Sequence, residues 1–269
     1  MFVAIPMVMT FWISLHRWSM LTPLSQMKWV GLDNYQAVLT GSTHLTAFRN
    51  TVVYVVLSAA ITIPLAVLLA LLLYFPKLRG RGVVRVILFA TYVVPTVAIV
   101  IVWSNLYAPN YGPIDAAFSA AGITSPGWLS NPKSALISLV IFNVWQMLGY
   151  YVVLLVAGLT QIPEEIYEAA RIDGARAVRQ TFSITLPLLR NTLVFVLLMT
   201  VINSVQVFDP VYLLTQGGPA NSTNTLSFDI QRTAFQNGLA GQASAMAVSL
   251  LLVLSLVAGA VSVALRRRS

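Results

Sequence analysis

The sequence predicts an all-α integral membrane protein, and two observations lead to that class. Of its 269 residues, 58% are hydrophobic and only 9% are charged, and the mean hydropathy is +0.80. A soluble domain carries about a quarter charged residues, so a water-facing fold is excluded. Several apolar runs are also long enough to cross a hydrocarbon core of about 30 Å, which takes about 20 helical residues. Because these runs lack the alternation of barrel strands, they favour helices.

We expect one transmembrane domain over residues 1–269 with six membrane-spanning helices, the first of them truncated at its N-terminus. The apolar segment 1–15 has no basic start and no small-residue cleavage site, which argues against a signal peptide. Pro64 and Pro95 fall inside the second and third spans. We interpret both as tolerated kinks, the alternative being a gating hinge. The predicted spans are residues 1–15, 51–75, 85–107, 134–158, 190–209 and 240–265.

The basic residues predict the orientation, because cytoplasmic loops carry an excess of Lys and Arg. Placing both termini and the loop between spans four and five inside gives eleven basic residues on that side and five on the other. We therefore expect a multi-pass protein of a bacterial or archaeal cytoplasmic membrane with both termini in the cytoplasm. The net charge of +8 then reflects topology and not nucleic-acid binding. The eleven are Lys77, Arg79, Arg81, Arg85, Arg171, Arg176, Arg179, Arg190, Arg266, Arg267 and Arg268.

Several kinds of chemistry are excluded by what the sequence lacks. There is no cysteine, which excludes disulfides and thiolate chemistry. His16 and His44 lie outside the apolar runs with no cluster of partner ligands, so we predict no metal site. No glycine-rich phosphate loop precedes a Lys-Ser or Lys-Thr pair, so the chain cannot hydrolyse ATP itself. We accordingly predict no catalytic residue and no cofactor bound by this chain.

The loop at residues 159–189 is the most informative segment, because it holds half of the acidic residues of the chain. Pro163, followed by Glu164 and Glu165, predicts a helix start, since acidic side chains offset the positive end of the helix dipole. Gly174 predicts its end, because glycine adopts the left-handed conformation of a C-cap. A second short helix is expected from Ala175 to about Pro187.

The first of these short helices carries a narrow stripe of small and apolar residues. Ile166, Ala169 and Ala170 are spaced i, i+3 and i+4, so they share one face. One interpretation is an amphipathic helix lying among lipid headgroups, but the stripe is weak and the acidic side chains would be repelled by anionic lipid. A docking surface for a cytoplasmic protein is favoured.

Seven residues of the loop stand at a fixed spacing: Glu168-Ala169-Ala170, Gly174, Ile184 and Leu186-Pro187. By this spacing the loop resembles the EAA loop of permease subunits of binding-protein-dependent ABC importers. Segments 14–18, 30–35 and 214–219 are similar to the sugar-permease branch, which includes the larger membrane subunit of the maltose transporter. The resemblance implies a type I ABC importer permease fold in which this loop docks onto an ATPase subunit. The residues that it implies couple the chain to ATP hydrolysis are Glu168, Ala169, Ala170, Gly174, Ile184, Leu186 and Pro187, which match the motif, together with Asp173.

The partners that this resemblance implies are four other polypeptides and the lipid bilayer. They are a second homologous permease subunit forming a heterodimer, two ATPase subunits that bind ATP-Mg, and an extracytoplasmic solute-binding protein.

Polar side chains on the two spans that flank the loop predict a solute pathway. In span four, Asn143, Gln146 and Tyr150 share one helical face beside Trp145, and span five carries a second set. Amides and aromatic rings suit a sugar, and the resemblance places Asn143 and Tyr150 at lining positions of a maltose site. The open alternative is hydrogen bonding between helices, worth about 0.6–2 kcal/mol for each residue. The second set is Thr200, Asn203, Ser204 and Gln206.

These features favour a permease subunit of an ATP-driven sugar importer over three alternatives. A stand-alone secondary transporter or channel would need coupling carboxylates or discontinuous helices at mid-membrane, and the spans contain no such carboxylate. A membrane scaffold would not need the polar faces. An ABC permease for amino acids, phosphate or peptides is the third alternative, which the sugar-branch segments disfavour.

Overall fold

The computed structural model of the chain describes residues 2–74 and 80–266, with side chains described as far as residue 259. Several sequence predictions lie outside these residues, namely those involving Met1, Phe75, Lys77, Arg79, Arg267 and Arg268. The described chain divides into two units. Among the described residues, unit 1 comprises those up to Val55, Thr96–Leu139 and those from Ile202 onward, and unit 2 comprises Val56–Pro95 and Val140–Val201.

The described residues are predominantly helical, which confirms the predicted class. The helices are α1 (Ala4–Ser14), α2 (Asp33–Thr40), α3 (Ser42–Tyr74), α4 (Arg81–Val93), α5 (Thr96–Leu106), α6 (Pro113–Ala120), α7 (Ala135–Leu159), α8 (Glu164–Ile172), α9 (Ala177–Gln180), α10 (Leu186–Leu188), α11 (Arg190–Val205), α12 (Leu226–Gln231) and α13 (Ala240–Arg266). Three π-helical turns cover Thr181–Thr185, Val211–Thr215 and Arg232–Gln236, a 3₁₀ turn covers Leu24–Gln26, and the strands are β1 (His16–Arg17) and β2 (Lys28–Trp29).

Three of the described helices are long and apolar enough to cross a membrane: α3, α7 and residues 240–259 of α13. Two bent pairs, α4 with α5 and the α9–α10 segment with α11, raise the number to five if each pair is one span. Helix α1 is apolar but has only 11 residues. The described residues thus support three to five spans, and the predicted sixth remains an expectation.

The two prolines within predicted spans have different effects on their helices. Pro64 lies inside the continuous helix α3, as expected for a tolerated proline. Pro95 instead falls between α4, which ends at Val93, and α5, which begins at Thr96. Val94 is extended with φ −70° and ψ 133°, the conformation that a following proline imposes. The interpretation of Pro95 as a tolerated kink is therefore wrong, because the helix breaks there, whereas a span over 85–107 stays a prediction.

In unit 1, a short hairpin follows α1 and joins the two N-terminal segments that the sequence singled out. Strands β1 and β2 pair antiparallel with His16 opposite Trp29. The buried Asn34 amide donates to the carbonyl oxygens of Ser14 at 2.8 Å and His16 at 2.9 Å. This amide therefore holds the end of α1 and the hairpin against α2. The hairpin is a small β-element that the all-α prediction did not include.

Unit 2 has an apolar core in which α3, α7 and α11 meet. Ala66 and Ala70 of α3, Leu155 of α7 and Val196 of α11 are all buried in this core. Helix α4 crosses α7 so closely that a Cβ added at Gly149 would lie 1.8 Å from the carbonyl oxygen of Leu88. Only a residue without a side chain allows two backbones to approach in this way.

Candidate coupling loop and polar helix faces

The first arm of the predicted EAA loop is a capped helix, as the sequence pattern indicates. Helix α8 begins after Pro163, which occupies the N-cap position and not the first helical position that the sequence suggested. Glu164 and Glu165 lie in its first turn and Arg171 in its last, so both ends complement the helix dipole. The short acidic segment can therefore form a helix outside the apolar spans.

Gly174 ends this helix in a Schellman motif. Its φ is +74°, and its N–H donates to the carbonyl of Arg171 at 3.1 Å. The N–H of Ala175 donates to the carbonyl of Ala170 at 2.9 Å, which completes the pattern. No heavy atom lies within 4 Å of a Cβ added at Gly174, so the backbone conformation, and not lack of space, requires glycine. The predicted C-cap is confirmed.

The face of α8 that packs on the rest of unit 2 is narrow. Ala170 is buried, and the hydroxyl of the half-buried Tyr167 lies 3.2 Å from the hydroxyl of Thr185. Ala170 therefore lies on a contact face, as the sequence indicated. The contact, however, is with other residues of this chain and not with a second protein. Ala169 is exposed, so the predicted stripe is divided between the interior and the surface.

The outward face of the loop carries the other predicted coupling residues of the first arm. Glu168, Asp173 and Gly174 are exposed. Glu168 lies 3.8 Å from Arg171, an exposed pair that contributes little to stability. These charges are thus free of strong internal bonds and available for a partner surface.

The second arm is less regular than the sequence suggested. The single helix expected from Ala175 to Pro187 is instead α9, a π-helical turn and α10, and this segment meets α11 at 70°. The amide of Gln180 donates to the carbonyl of Ala175 at 2.7 Å, which ties the start of the arm to the turn. Ile184 and Leu186 are half-buried and Pro187 is exposed.

Sequence reasoning missed three exposed apolar side chains on this loop. Ile172 is 87% exposed, Val178 71% and Phe182 67%. Large apolar side chains on a loop that also carries many charges are typical of a protein interaction surface. The signal was available in the sequence, because these residues interrupt the charged pattern without continuing any apolar run.

Both ends of the loop are anchored in the core of unit 2. Ile162, just before α8, and Leu189, just before α11, are buried with the α3 and α7 side chains described above. A force applied to the exposed face of the loop would therefore reach the helices through two fixed points. This is the geometry expected of a lever.

The polar face of α7 is confirmed as a buried feature. Asn143 and Gln146 are 6% and 4% exposed, whereas Trp145 is 39% exposed. The ring of Tyr150 stacks on Tyr92 of α4, with the centroids 4.5 Å apart and the planes at 18°. Tyr150 therefore packs against its own unit and presents only part of its ring.

The polar residues of the fifth predicted span lie in the last two turns of α11 and directly after it. Thr200 and Ser204 are buried, and the Thr200 hydroxyl donates to the carbonyl of Val196 at 2.7 Å, which is a bond within the helix. Asn203 is half-buried, and Gln206 lies exposed just beyond the last helical residue. Because Thr200 belongs to unit 2 and the other three to unit 1, a cavity shared with α7 stays a prediction.

A buried charge cluster in unit 1 is a feature that the sequence did not predict. The Asp229 carboxylate lies 2.6 Å from His44 Nδ1 and 2.8 Å from Arg232 Nη2, and it accepts a bond from Asn224 at 3.3 Å. Burial opposes ionisation of Asp229, but these hydrogen bonds outweigh it and keep the pKa of the carboxyl below its usual value. His44 therefore has an acidic partner, which the sequence did not indicate. The described residues contain no group of ligands that could hold a metal ion.

Comparisons with known proteins identify the family. Residues 62–269 match the family described as binding-protein-dependent transport system inner membrane component. The trehalose/maltose transport system permease protein MalF of Thermococcus litoralis is 38% identical over 226 residues, covering 84% of this chain and 76% of the relative. The diacetylchitobiose uptake system permease protein NgcF of Streptomyces coelicolor is 32% identical over 261 residues, covering 93% of this chain and 73% of that one.

A solved structure of a bacterial ABC transporter involved in the import of the acidic polysaccharide alginate supports the same fold. One of its chains superposes with a TM-score of 0.84 at 21% identity, covering 99% of this chain and 90% of that chain. The resemblance drawn from the EAA loop is thereby confirmed, and the chain belongs to the family of inner membrane permease subunits of binding-protein-dependent ABC importers.

Proposed function

We propose that this chain, a permease subunit of an ABC importer, passes a carbohydrate delivered by an extracytoplasmic binding protein and is driven by a separate ATPase. The relatives named for trehalose, maltose and diacetylchitobiose uptake support a carbohydrate. ATP and Mg²⁺ then belong to the ATPase partner. The second permease subunit and the cytoplasmic position of both termini are parts of the same proposal.

The observation that carries the coupling role is the capped loop with an exposed apolar face and buried ends. Phe182 and Ile172 offer side chains that another protein could enclose, and Glu168 and Asp173 offer charges beside them. Ile162 and Leu189 connect this face to the core of unit 2. Closure of the ATPase subunits would then move α7 and α11 together with the loop.

Phe182→Asp tests this role in the complete transporter reconstituted in lipid vesicles. We expect solute-stimulated ATP hydrolysis to fall about tenfold or more, because a charge replaces an apolar contact at the centre of an interface. The matched control is Ile123→Asp, since Ile123 is 56% exposed but lies in a loop that we assign to the opposite side. Normal ATPase coupling in the Phe182 variant, with the complex assembled, would contradict the coupling role.

For the solute, uptake by the same vesicles should depend on the binding protein and be competed by oligosaccharides and not by amino acids. Asn143→Leu should lower uptake while leaving the ATPase subunits bound, because the buried amide of Asn143 is proposed to face the solute. Uptake that continues after the ATPase partner loses its phosphate-loop lysine would indicate a stand-alone transporter instead.

A further inference from the structure

A groove of about 560 Å³ runs along the surface of α4 in unit 2. Its described lining is apolar except at one end, where it is closed by an arginine. From residue 85 to residue 94 the groove follows about 14 Å of chain, at 1.5 Å for each helical residue. The lining residues are Arg85, Val86, Phe89, Ala90, Val93, Val94 and Val153.

The charged end of the groove is strongly basic. Arg81 and Arg85 are one helical turn apart, and neither has an acidic partner within 4 Å in the described part of the chain. The sequence adds Lys77 and Arg79 just before α4, and there is no acidic residue between Asp33 and Asp115. This is also the end that the distribution of basic residues assigns to the cytoplasm.

The two arginines retain unused hydrogen-bonding capacity. Arg85 Nη2 donates to the carbonyl of Leu73 at 3.0 Å, and because its Nε is buried, its remaining Nη hydrogens are the donors that a ligand can reach. Among the described residues, the one hydrogen bond of Arg81 is a long contact of 3.5 Å with the carbonyl of Tyr74. A guanidinium pair in this state can bind a phosphate oxygen, which forms charge-assisted bonds with arginine.

We propose that this groove binds an anionic phospholipid, with an acyl chain along α4 and the headgroup phosphate at Arg81 and Arg85. The apolar lining excludes a sugar and suits a hydrocarbon chain, whereas the cationic end selects the headgroup by charge. The site is separate from the proposed solute pathway and from the coupling loop. It adds a lipid requirement that the transport role alone does not imply.

The absence of cysteine provides a direct test, because Val93→Cys introduces a unique thiol into this chain. Val93 lines the groove and is 63% exposed, so the thiol accepts a bimane fluorophore. The complete transporter is reconstituted in phosphatidylcholine vesicles, and the labelled wild type gives the background from partner subunits. Phosphatidylglycerol brominated on its acyl chains should quench at about thirtyfold lower mole fraction than brominated phosphatidylcholine, because each of the two basic residues contributes about fivefold.

Two substitutions and one control complete the experiment. Arg81→Gln and Arg85→Gln should each reduce the preference for phosphatidylglycerol, and Arg81→Gln alone suffices if the Arg85 variant does not assemble. Lys133→Gln removes an equally exposed cation elsewhere and should leave the preference intact. Equal quenching by both lipids would overturn the proposal, because the groove would then be ordinary lipid-facing surface. No quenching by either would also overturn it and would indicate that another protein subunit covers α4.

Discussion

At the scale of single residues, Gly174 and Asp229 are the positions where local chemistry has the clearest consequences. Gly174 holds a backbone conformation with φ +74° in open space. Asp229 is buried among a histidine, an arginine and an asparagine. A substitution at Gly174 changes the backbone strain of the turn, and a substitution at Asp229 changes the charge of the cluster. The effect of each can therefore be assigned to one cause.

Gly174→Ala should strain the coupling loop without a clash. The left-handed conformation costs a residue with a Cβ about 1–2 kcal/mol, and no neighbouring atom lies within 4 Å to add to it. We expect reduced solute-stimulated ATP hydrolysis in an assembled complex. Gly82→Ala is the matched control, because Gly82 is equally open but lies within α4, where alanine is favoured. Equal behaviour of the two variants would exclude a role for the Schellman turn.

Asp229→Asn should destabilise the protein by about 3 kcal/mol, because it removes the buried carboxylate that pairs with the half-buried Arg232 and with His44. The pKa of Asp229 is lower in the folded than in the unfolded chain, where it is about 3.9. Its stabilising contribution is therefore complete above that pH and is lost as the pH falls through the folded pKa.

Thermal unfolding between pH 7 and pH 3 measures this contribution. The melting temperature of the wild type should fall more steeply below about pH 4 than that of the Asn variant, which has no carboxyl to protonate. Asp33→Asn is the control, because its carboxylate is 64% exposed and its partner Arg17 lies 3.9 Å away. Parallel curves for wild type and Asp229→Asn would contradict the assignment.

At the scale of elements, the crossing of α4 and α7 depends on one glycine. A Cβ at position 149 would overlap the Leu88 carbonyl, so the two helices cannot adapt by moving a side chain. The hydroxyl of Thr91 lies 3.3 Å from the carbonyl oxygens of Trp145 and Gln146, which adds polar contacts beside the crossing. The packing of α4 in unit 2 therefore rests on backbone contact.

Gly149→Ala should destabilise unit 2 by at least about 3 kcal/mol, since overpacking here displaces backbone and not side chains. The expected result is a lower melting temperature and a lower yield of assembled transporter. Gly259→Ala is the control, because a Cβ added there meets no atom within 4 Å. A Gly149 variant as stable as the Gly259 variant would show that the helices are farther apart.

At the scale of the whole molecule, orientation remains the central prediction from sequence. Because the chain has no cysteine, Asp173→Cys and Ile123→Cys each introduce a unique thiol at an exposed position. On intact cells, a membrane-impermeant maleimide should label the thiol at position 123 and not the one at position 173. The reverse result would place the coupling loop outside and would exclude a cytoplasmic ATPase as its partner.

Much of the fold follows from patterns that act locally. The helical class, the start of α8 and the turn at Gly174 depend on neighbouring residues, so the sequence predicts them. The break at Pro95 was missed because Pro64 and Pro95 look alike in sequence, and only the structure distinguishes an uninterrupted helix from a bent pair. The bond between His44 and Asp229 joins residues 185 positions apart, and no periodicity reports such a distance.

The close crossing of α4 and α7 also links two aromatic rings. Tyr92 stacks on Tyr150, and both belong to helices whose backbones touch at Gly149. A movement of α7 along its axis would therefore have to separate these two rings or move α4 as well. If the proposed solute contacts Tyr150, it therefore acts on α4 through a single aromatic contact.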